Sequence, residues 1–183
     1  MRRSAVALSF LLLAGVGALV TVRALHRPAV VPAPAALPPG TEVVAVACFY
    51  PARTGMDLVE EVRQRPRAAS PQDRLRGVIE ELHRPPVSPA ALPLFPAGSA
   101  PRAVFLSADG MACVDETAAA MDRSTGPRDE VLLVRALARS VIRACPEART
   151  LVLLVDGAPR PRLALHLAGA GRWLLPRLAP PAR

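Results

Sequence analysis

The stretch "PRAVFLSADGMACVDE", residues 101–116, decides how the fold is read. Two short apolar runs flank Asp109 and Gly110, a pair that tolerates the positive φ angles of a tight turn. The stretch therefore predicts a β-hairpin. A second pair of strands is predicted in "TLVLLVDGAPRPRLALH", residues 150–166, with one strand over 150–155, the other over 162–167, and Asp156 and Gly157 at the bend.

A strand and two helices complete the predicted elements. The segment "EVVAVACFYP", residues 42–51, is β-branched and aromatic, which is typical of a buried strand. Ser70 as N-cap and Pro71 in the first turn predict one helix, which Pro85 and Pro86 stop. Its apolar stripe comprises Leu75, Val78, Ile79 and Leu82. A second helix is predicted from Pro127 to just before Pro146, with the stripe Val134, Leu137, Ala138, Val141, Ile142 and Cys145.

The order β-α-β-β-α-β-β favours an α+β fold with a single, mainly antiparallel or mixed sheet and both helices on one face. We expect this domain over residues 41–176. Residues 177–183 are expected to form a loose tail, and Trp173, Leu174 and Leu175 are the tail-side residues able to pack back on the domain.

The N-terminal part, residues 1–27, has the pattern of a membrane anchor. An uncharged run of 19 residues starts at Ser4 and ends at Val22, and a helix of that length spans about 28 Å, close to the bilayer core. We therefore predict an N-terminal transmembrane helix in the inner membrane, with the domain in the periplasm. The alternative is a cleaved signal peptide and a secreted domain. The Pro-rich residues 28–40 predict an extended tether.

The net charge of +8 does not indicate nucleic-acid binding. All 23 basic residues are arginine, and five of them lie in the leader or at the last position, which leaves 18 against 15 acidic residues in the domain. Aromatic residues for base stacking are few. The sequence therefore predicts no nucleic-acid partner.

Few residues of the domain suggest catalysis. Only two histidines lie there, and neither has the spacing of a metal ligand set. Ser107 lies in no strained elbow of the kind that serine hydrolases use, and the neighbouring glutamates at 60–61 and 80–81 diverge on any helix. We predict no catalytic, cofactor-binding or metal-binding residue. His83 is expected near a helix end and His166 in a structural or surface position; the alternative is a peptidoglycan-acting enzyme, or a regulator of one, using Asp156 and His166.

Three cysteines occur in apolar runs, at Cys48, Cys113 and Cys145. Small buried thiols are the expected state, and a single disulfide is the main alternative.

The order of these motifs resembles the GerMN domain of sporulation and spore germination proteins. The carriers of the resemblance are "LPLFPAGS" (92–99), "AVFLSADGMACVDE" (103–116), "LLVDG" (153–157) and "LALH" (163–166). The motif positions are Pro96, Gly98, Asp109, Gly110, Val114, Asp115, Asp156, Gly157 and His166. The sequence departs from the pattern at Leu165, where the family has glycine, and at Glu116, where it has an apolar residue.

The resemblance implies an extracytoplasmic, membrane-tethered module of bacteria without established catalysis. It implies partners among envelope proteins or peptidoglycan, with envelope or spore-cortex assembly as the process, and a homo-oligomer as a further hypothesis that rests on fold similarity alone.

Overall fold

A computed structural model describes residues 29–31, 40–122, 126–159 and 172–175. Within these ranges the strands and helices form an α+β arrangement, as predicted. In chain order they are β1 (Ala29–Val31), β2 (Val43–Pro51), β3 (Leu58–Pro66), α1 (Pro71–Leu82), β4 (Ala103–Leu106), β5 (Met111–Glu116), α2 (Ala118–Met121), α3 (Pro127–Ala144), β6 (Thr150–Val155), β7 (Ala158–Pro159) and β8 (Arg172–Leu174).

The strands form two sheets. One has the order β1-β3-β2, and the other has the order β4-β5-β6-β7 with β8 also paired to β6. The prediction of a single sheet is therefore wrong. It failed because β3 was not recognised: its inward positions include Glu61 and Arg63, which are buried, so the strand lacks the apolar alternation that would identify it.

Both main helices begin and end where the sequence predicts. The Ser70 hydroxyl accepts a hydrogen bond from the Asp73 backbone N–H at the start of α1, and Pro127 opens α3, which stops at Ala144. The predicted stripe of α1 is fully buried, and so is that of α3 except for the half-buried Ile142. Both helices pack on β2, and α1 also packs on β4.

The predicted hairpin of residues 103–116 is confirmed. β4 and β5 are antiparallel, with Ala103 opposite Asp115 and Leu106 opposite Ala112. β5 then pairs in parallel with β6, so the sheet is mixed. The free edge of β4 is covered by a side chain of α1, because the Gln72 amide donates to the Val104 carbonyl (2.6 Å) and accepts from the Leu106 N–H (2.7 Å).

The first strand and the turn of the second predicted hairpin are confirmed. A turn at Asp156 and Gly157 does reverse the chain, but β7 comprises just Ala158–Pro159. The same edge of β6 also pairs with β8, with Leu174 opposite Thr150. The conformation of 162–167 lies outside the described residues. Leu175 is fully buried, so this end of the chain does pack back.

The N-terminal predictions fall largely outside the described ranges, as does the tail over 177–183. Residues 4–22 and most of 28–40 are not described, and no helix in the described part is long and apolar enough to cross a membrane. Part of the predicted tether is a strand, since β1 pairs in parallel with β3, Ala29 opposite Glu61. A proline-flanked triplet such as Ala29–Val31 is too short to identify as a strand by composition.

Candidate functional site

The acidic motif residues hold the turn between β6 and β7. The Gly157 N–H donates to Asp115 Oδ1 (2.9 Å), and Arg102 Nη1 donates to Asp156 Oδ1 (3.0 Å). Asp156 and Gly157 have φ angles of 53° and 79°, the conformation for which an Asp-Gly pair is suited. Asp156 is therefore an exposed turn residue paired with arginine, and the histidine proposed as its catalytic partner, His166, lies outside the described residues.

Asp109 and Gly110, the motif residues at the turn between β4 and β5, also have a structural role. Gly110 has a φ of 86°, and its carbonyl accepts from the Arg149 N–H (2.7 Å) at the start of β6. Asp109 contacts the Ser107 hydroxyl, and this hydrogen bond lowers the pKa of the Asp109 carboxyl. Val114 of the same hairpin is a fully buried core residue. These positions shape the sheet and present no reactive group.

The remaining motif positions, Pro96 and Gly98, bring a serine to a buried histidine. The Pro96 carbonyl accepts from both the N–H (3.2 Å) and the hydroxyl (2.7 Å) of Ser99. Gly98 has a φ of 78° within this turn. Ser99 Oγ then lies 2.8 Å from His83 Nδ1.

His83 connects three parts of the fold. It is the C-cap residue of α1, near the helix end as predicted, but its ring points inward and stacks on Phe95 at a centroid distance of 4.1 Å. His83 Nε2 lies 3.1 Å from Glu116 Oε1. Glu116 is fully buried, and its Oε2 has no hydrogen-bond partner among the described residues.

A hydroxyl, an imidazole and a carboxylate in this order resemble the relay that activates a nucleophile. The bonding favours another role. Because the Ser99 hydroxyl donates to the Pro96 carbonyl, its oxygen is left to accept from His83 Nδ1–H. Ser99 therefore faces the ring as an acceptor, and the three side chains form a buried hydrogen-bonded network that links the loop to the sheet.

A second buried ionic cluster joins β3 to α1. Arg63 donates to Glu61 Oε2 (3.0 Å), Glu81 Oε2 (3.2 Å) and the Pro85 carbonyl (2.8 Å). Its guanidinium lies 5.1 Å from the ring centroid of Tyr50. All three charged residues are at most 3% exposed. The cluster explains why charged residues occupy the inner face of a strand, and it is closed to ligands.

The cysteines have free thiols. Cys48 and Cys145 are buried and Cys113 is half-buried, as the favoured interpretation predicted, and the alternative of a disulfide is wrong. Burial raises the pKa of the Cys48 thiol to about 12 and that of Cys145 to about 11, which removes both as nucleophiles near neutral pH. Among the described residues no cluster of three or more His, Cys, Asp or Glu could hold a metal ion.

A groove of about 440 Å³ lies beside the N-terminal half of β2. Its walls come from β2, from the end of β3, and from the facing ends of α1 and α3. We call it the β2 groove. Its lining comprises Val44, Ala45, Val46, Ala47, Arg65, Pro66, Arg67, Ala68, Asp73, Arg74, Gly77, Val78, Arg143 and Ala144. Four arginines and one acidic residue thus surround a mostly apolar floor.

β2 is an edge strand of its sheet, and alternate residues direct their backbone groups to the two sides. The Glu42 carbonyl accepts from the Arg67 N–H across the β3 side, whereas the Phe49 N–H points away and donates to Ser140 Oγ (2.9 Å). The pairing with β3 is continuous. Ala45 and Ala47, which both line the groove, therefore direct their N–H and C=O groups away from β3, and no described strand pairs with this edge.

Comparison with solved structures identifies the architecture. A structure of the tandem GerMN domains of the sporulation protein GerM from Bacillus subtilis superposes with a TM-score of 0.51 at 13% identity, covering 69% of this chain and 44% of that chain. The first GerMN domain of the same protein gives a TM-score of 0.50 at 16% identity, covering 67% and 90% of the two chains. The fold is GerMN-like. The chain spans less than half the length of the tandem protein.

At these identities the similarity is one of fold. No protein-family model matches the sequence, and no curated protein matches it. The buried glutamate at position 116 has a partner within the fold, because Glu116 Oε1 lies 3.1 Å from Nε2 of the buried His83. Sequence reasoning missed this pair because 32 residues separate its members and no local pattern links them.

Proposed function

We propose that this chain is a non-enzymatic, membrane-tethered interaction module on the extracytoplasmic side of the bacterial cell envelope. The observation that carries the proposal is the β2 groove, which lies at a strand edge that no described strand covers and is lined with arginines, in a domain whose described motif residues are engaged in turns and core contacts. A surface of unpaired backbone groups suits recognition of a protein segment rather than catalysis.

Two further features support the location. The uncharged run of residues 4–22 is long enough to span a bilayer, and the fold is similar to that of domains from a sporulation protein. Within this proposal the module serves envelope or spore-cortex assembly, with its partners among envelope proteins or peptidoglycan.

Topology is tested with reporter fusions after Leu178. Alkaline phosphatase, active only outside the cytoplasm, is expected to be active there, and β-galactosidase is expected to be inactive. A matched fusion lacking residues 4–22 should reverse both results. Active β-galactosidase on the intact chain would refute the location, and a shortened, released product in the culture medium would indicate secretion after cleavage instead of anchoring.

One arrangement favours an enzyme as the second candidate, namely Ser99, His83 and Glu116 in hydrogen-bond contact. If Ser99 were a nucleophile, a fluorophosphonate probe would label the native chain, and Ser99→Ala would abolish labelling. We expect no labelling, because the Ser99 hydroxyl donates its hydrogen bond to the Pro96 carbonyl. Labelling that disappears in Ser99→Ala but persists in the control Ser107→Ala would favour the hydrolase and refute the module.

A further inference from the structure

We infer that the β2 groove binds an extended, acidic segment of a partner protein, which adds to the sheet as a new strand beside β2. This inference deepens the proposed function and rests on it for the role of the domain, although the binding itself can be measured whatever the topology. The bound chemistry is a peptide backbone in β conformation whose side chains carry carboxylates.

The edge of β2 offers backbone hydrogen-bonding groups to an added strand. Ala45 and Ala47 direct their donors and acceptors outward, and their short side chains leave room beside the strand. Further along, the same edge is closed, because Ser140 satisfies Phe49 and the Leu92 N–H donates to the Pro51 carbonyl (2.8 Å). The open stretch therefore starts at Val43 and ends before Phe49, long enough for an added strand of about five residues at ~3.4 Å each.

The arginines of the groove favour a segment with acidic side chains. Arg65, Arg67 and Arg74 line the groove but each already has a glutamate partner. Arg143 is exposed, lines the groove, and contacts no acidic group among the described residues. An incoming carboxylate therefore meets the guanidinium of Arg143, which has no acidic partner among the described residues. The three paired arginines can also contact this carboxylate, since exposed ion pairs exchange partners at little cost.

The segments of the given sequence that flank the domain do not have the chemistry of this occupant. All 15 acidic residues of the sequence lie between Glu42 and Asp156, so the segments before and after carry only arginine charges. Residues 32–39, which precede β2, contain four prolines and cannot donate a regular ladder of hydrogen bonds. Neither segment complements the groove, whereas an acidic partner strand does.

Binding is tested on the full chain in detergent micelles with a fluorescein-labelled heptapeptide of alternating threonine and glutamate, followed by fluorescence polarisation. Two comparison peptides separate the contributions. One replaces glutamate by lysine, and the other carries N-methyl groups on the residues facing β2, which removes their donors. We expect saturable binding of the first peptide, weaker at high salt, and no binding of the other two up to about 1 mM.

The matched variants are Arg143→Glu in the groove and Arg76→Glu on the exposed side of α1, outside it. Arg143→Glu should lower the affinity for the acidic peptide about five- to tenfold, and Arg76→Glu should lower it less than about twofold. Equal losses in both variants, equal binding of the N-methylated peptide, or no binding at all would overturn the inference. So would a dimer in sedimentation that Arg143→Glu dissociates, because a second copy would then occupy the edge. A wrong reporter topology with intact peptide binding would refute the proposed function alone.

Discussion

Gly110→Ala should destabilise the domain much more than Gly98→Ala, although both glycines have positive φ angles of 86° and 78°. The difference lies in their surroundings. A Cβ on Gly110 would lie 2.6 Å from the backbone oxygen of Glu147, whereas a Cβ on Gly98 would meet nothing within 4 Å. The pair therefore separates the cost of the left-handed backbone from the cost of the clash.

The magnitudes follow from these distances. The left-handed conformation costs an alanine about 1 kcal/mol at either position. At Gly110 the clashing atom is backbone, and it cannot move freely because the Arg149 N–H donates to the Gly110 carbonyl at 2.7 Å. Overpacking of that kind adds about 1–3 kcal/mol. We expect a total of about 2–4 kcal/mol for Gly110→Ala and about 1 kcal/mol for Gly98→Ala.

The assay is urea unfolding of the full chain in detergent, followed by far-ultraviolet circular dichroism, with the same denaturant slope required of both variants. A difference between the two free energies of unfolding below about 0.5 kcal/mol, comparable to the error of the method, would refute the reasoning. It would mean that the hairpin turn does not approach the start of β6 as closely as the structure has it.

Further variants and one labelling experiment probe the buried polar groups. Arg63→Met should lower the free energy of unfolding by about 3–5 kcal/mol, because it leaves buried carboxylates without their cation. Arg67→Met removes an exposed ion pair and should cause a change too small to measure. Similar losses in the two variants would contradict the burial of the Arg63 cluster. Glu116→Ala should lower the free energy of unfolding by about 3 kcal/mol in the same assay. Glu116→Gln keeps an acceptor for the histidine ring and should lower it by less than about 1 kcal/mol. In native protein at pH 8 iodoacetamide should alkylate Cys113 and spare Cys48, as peptide mass spectrometry would report. Burial raises the pKa of the Cys48 thiol from 9.0 to about 12. The protonated thiol therefore contributes its full stabilisation below pH 9, and this contribution to the free energy of unfolding declines as the pH rises toward 12. In Cys48→Ala the free energy of unfolding should fall less steeply over this pH range.

Local signals account for the elements that the sequence predicts well. The N-cap at Ser70, the prolines at the first turns of both long helices and the Asp-Gly pair at 109–110 each act through neighbouring backbone groups, and each lies where expected. Such signals depend on only a few consecutive residues. They place the helices and the central hairpin without knowledge of the rest of the fold.

The elements that were missed depend on distant partners. β3 carries Glu61 and Arg63 on its inner face, and a charged inner face is stable only because Glu81 of α1 arrives to complete the cluster. The pairing of β8 with β6 likewise leaves twelve residues between the short β7 and its neighbour on the same edge. Neither arrangement leaves a periodic pattern in the local sequence.

The same reasoning applies to the candidate site, since whether a strand edge is open depends on side chains from elsewhere. Gln72 of α1 replaces a strand on the edge of β4, and Ser140 of α3 does so at Phe49 of β2. Exposed edges invite pairing with other chains, and these two residues prevent it where they act. Beyond Ser140, α3 ends at Ala144, so the N-terminal half of β2 receives no such cap from it. The opening of the β2 groove is therefore set by the length of one helix, and a segment that adds there would complete a sheet that the described part of the domain leaves unfinished.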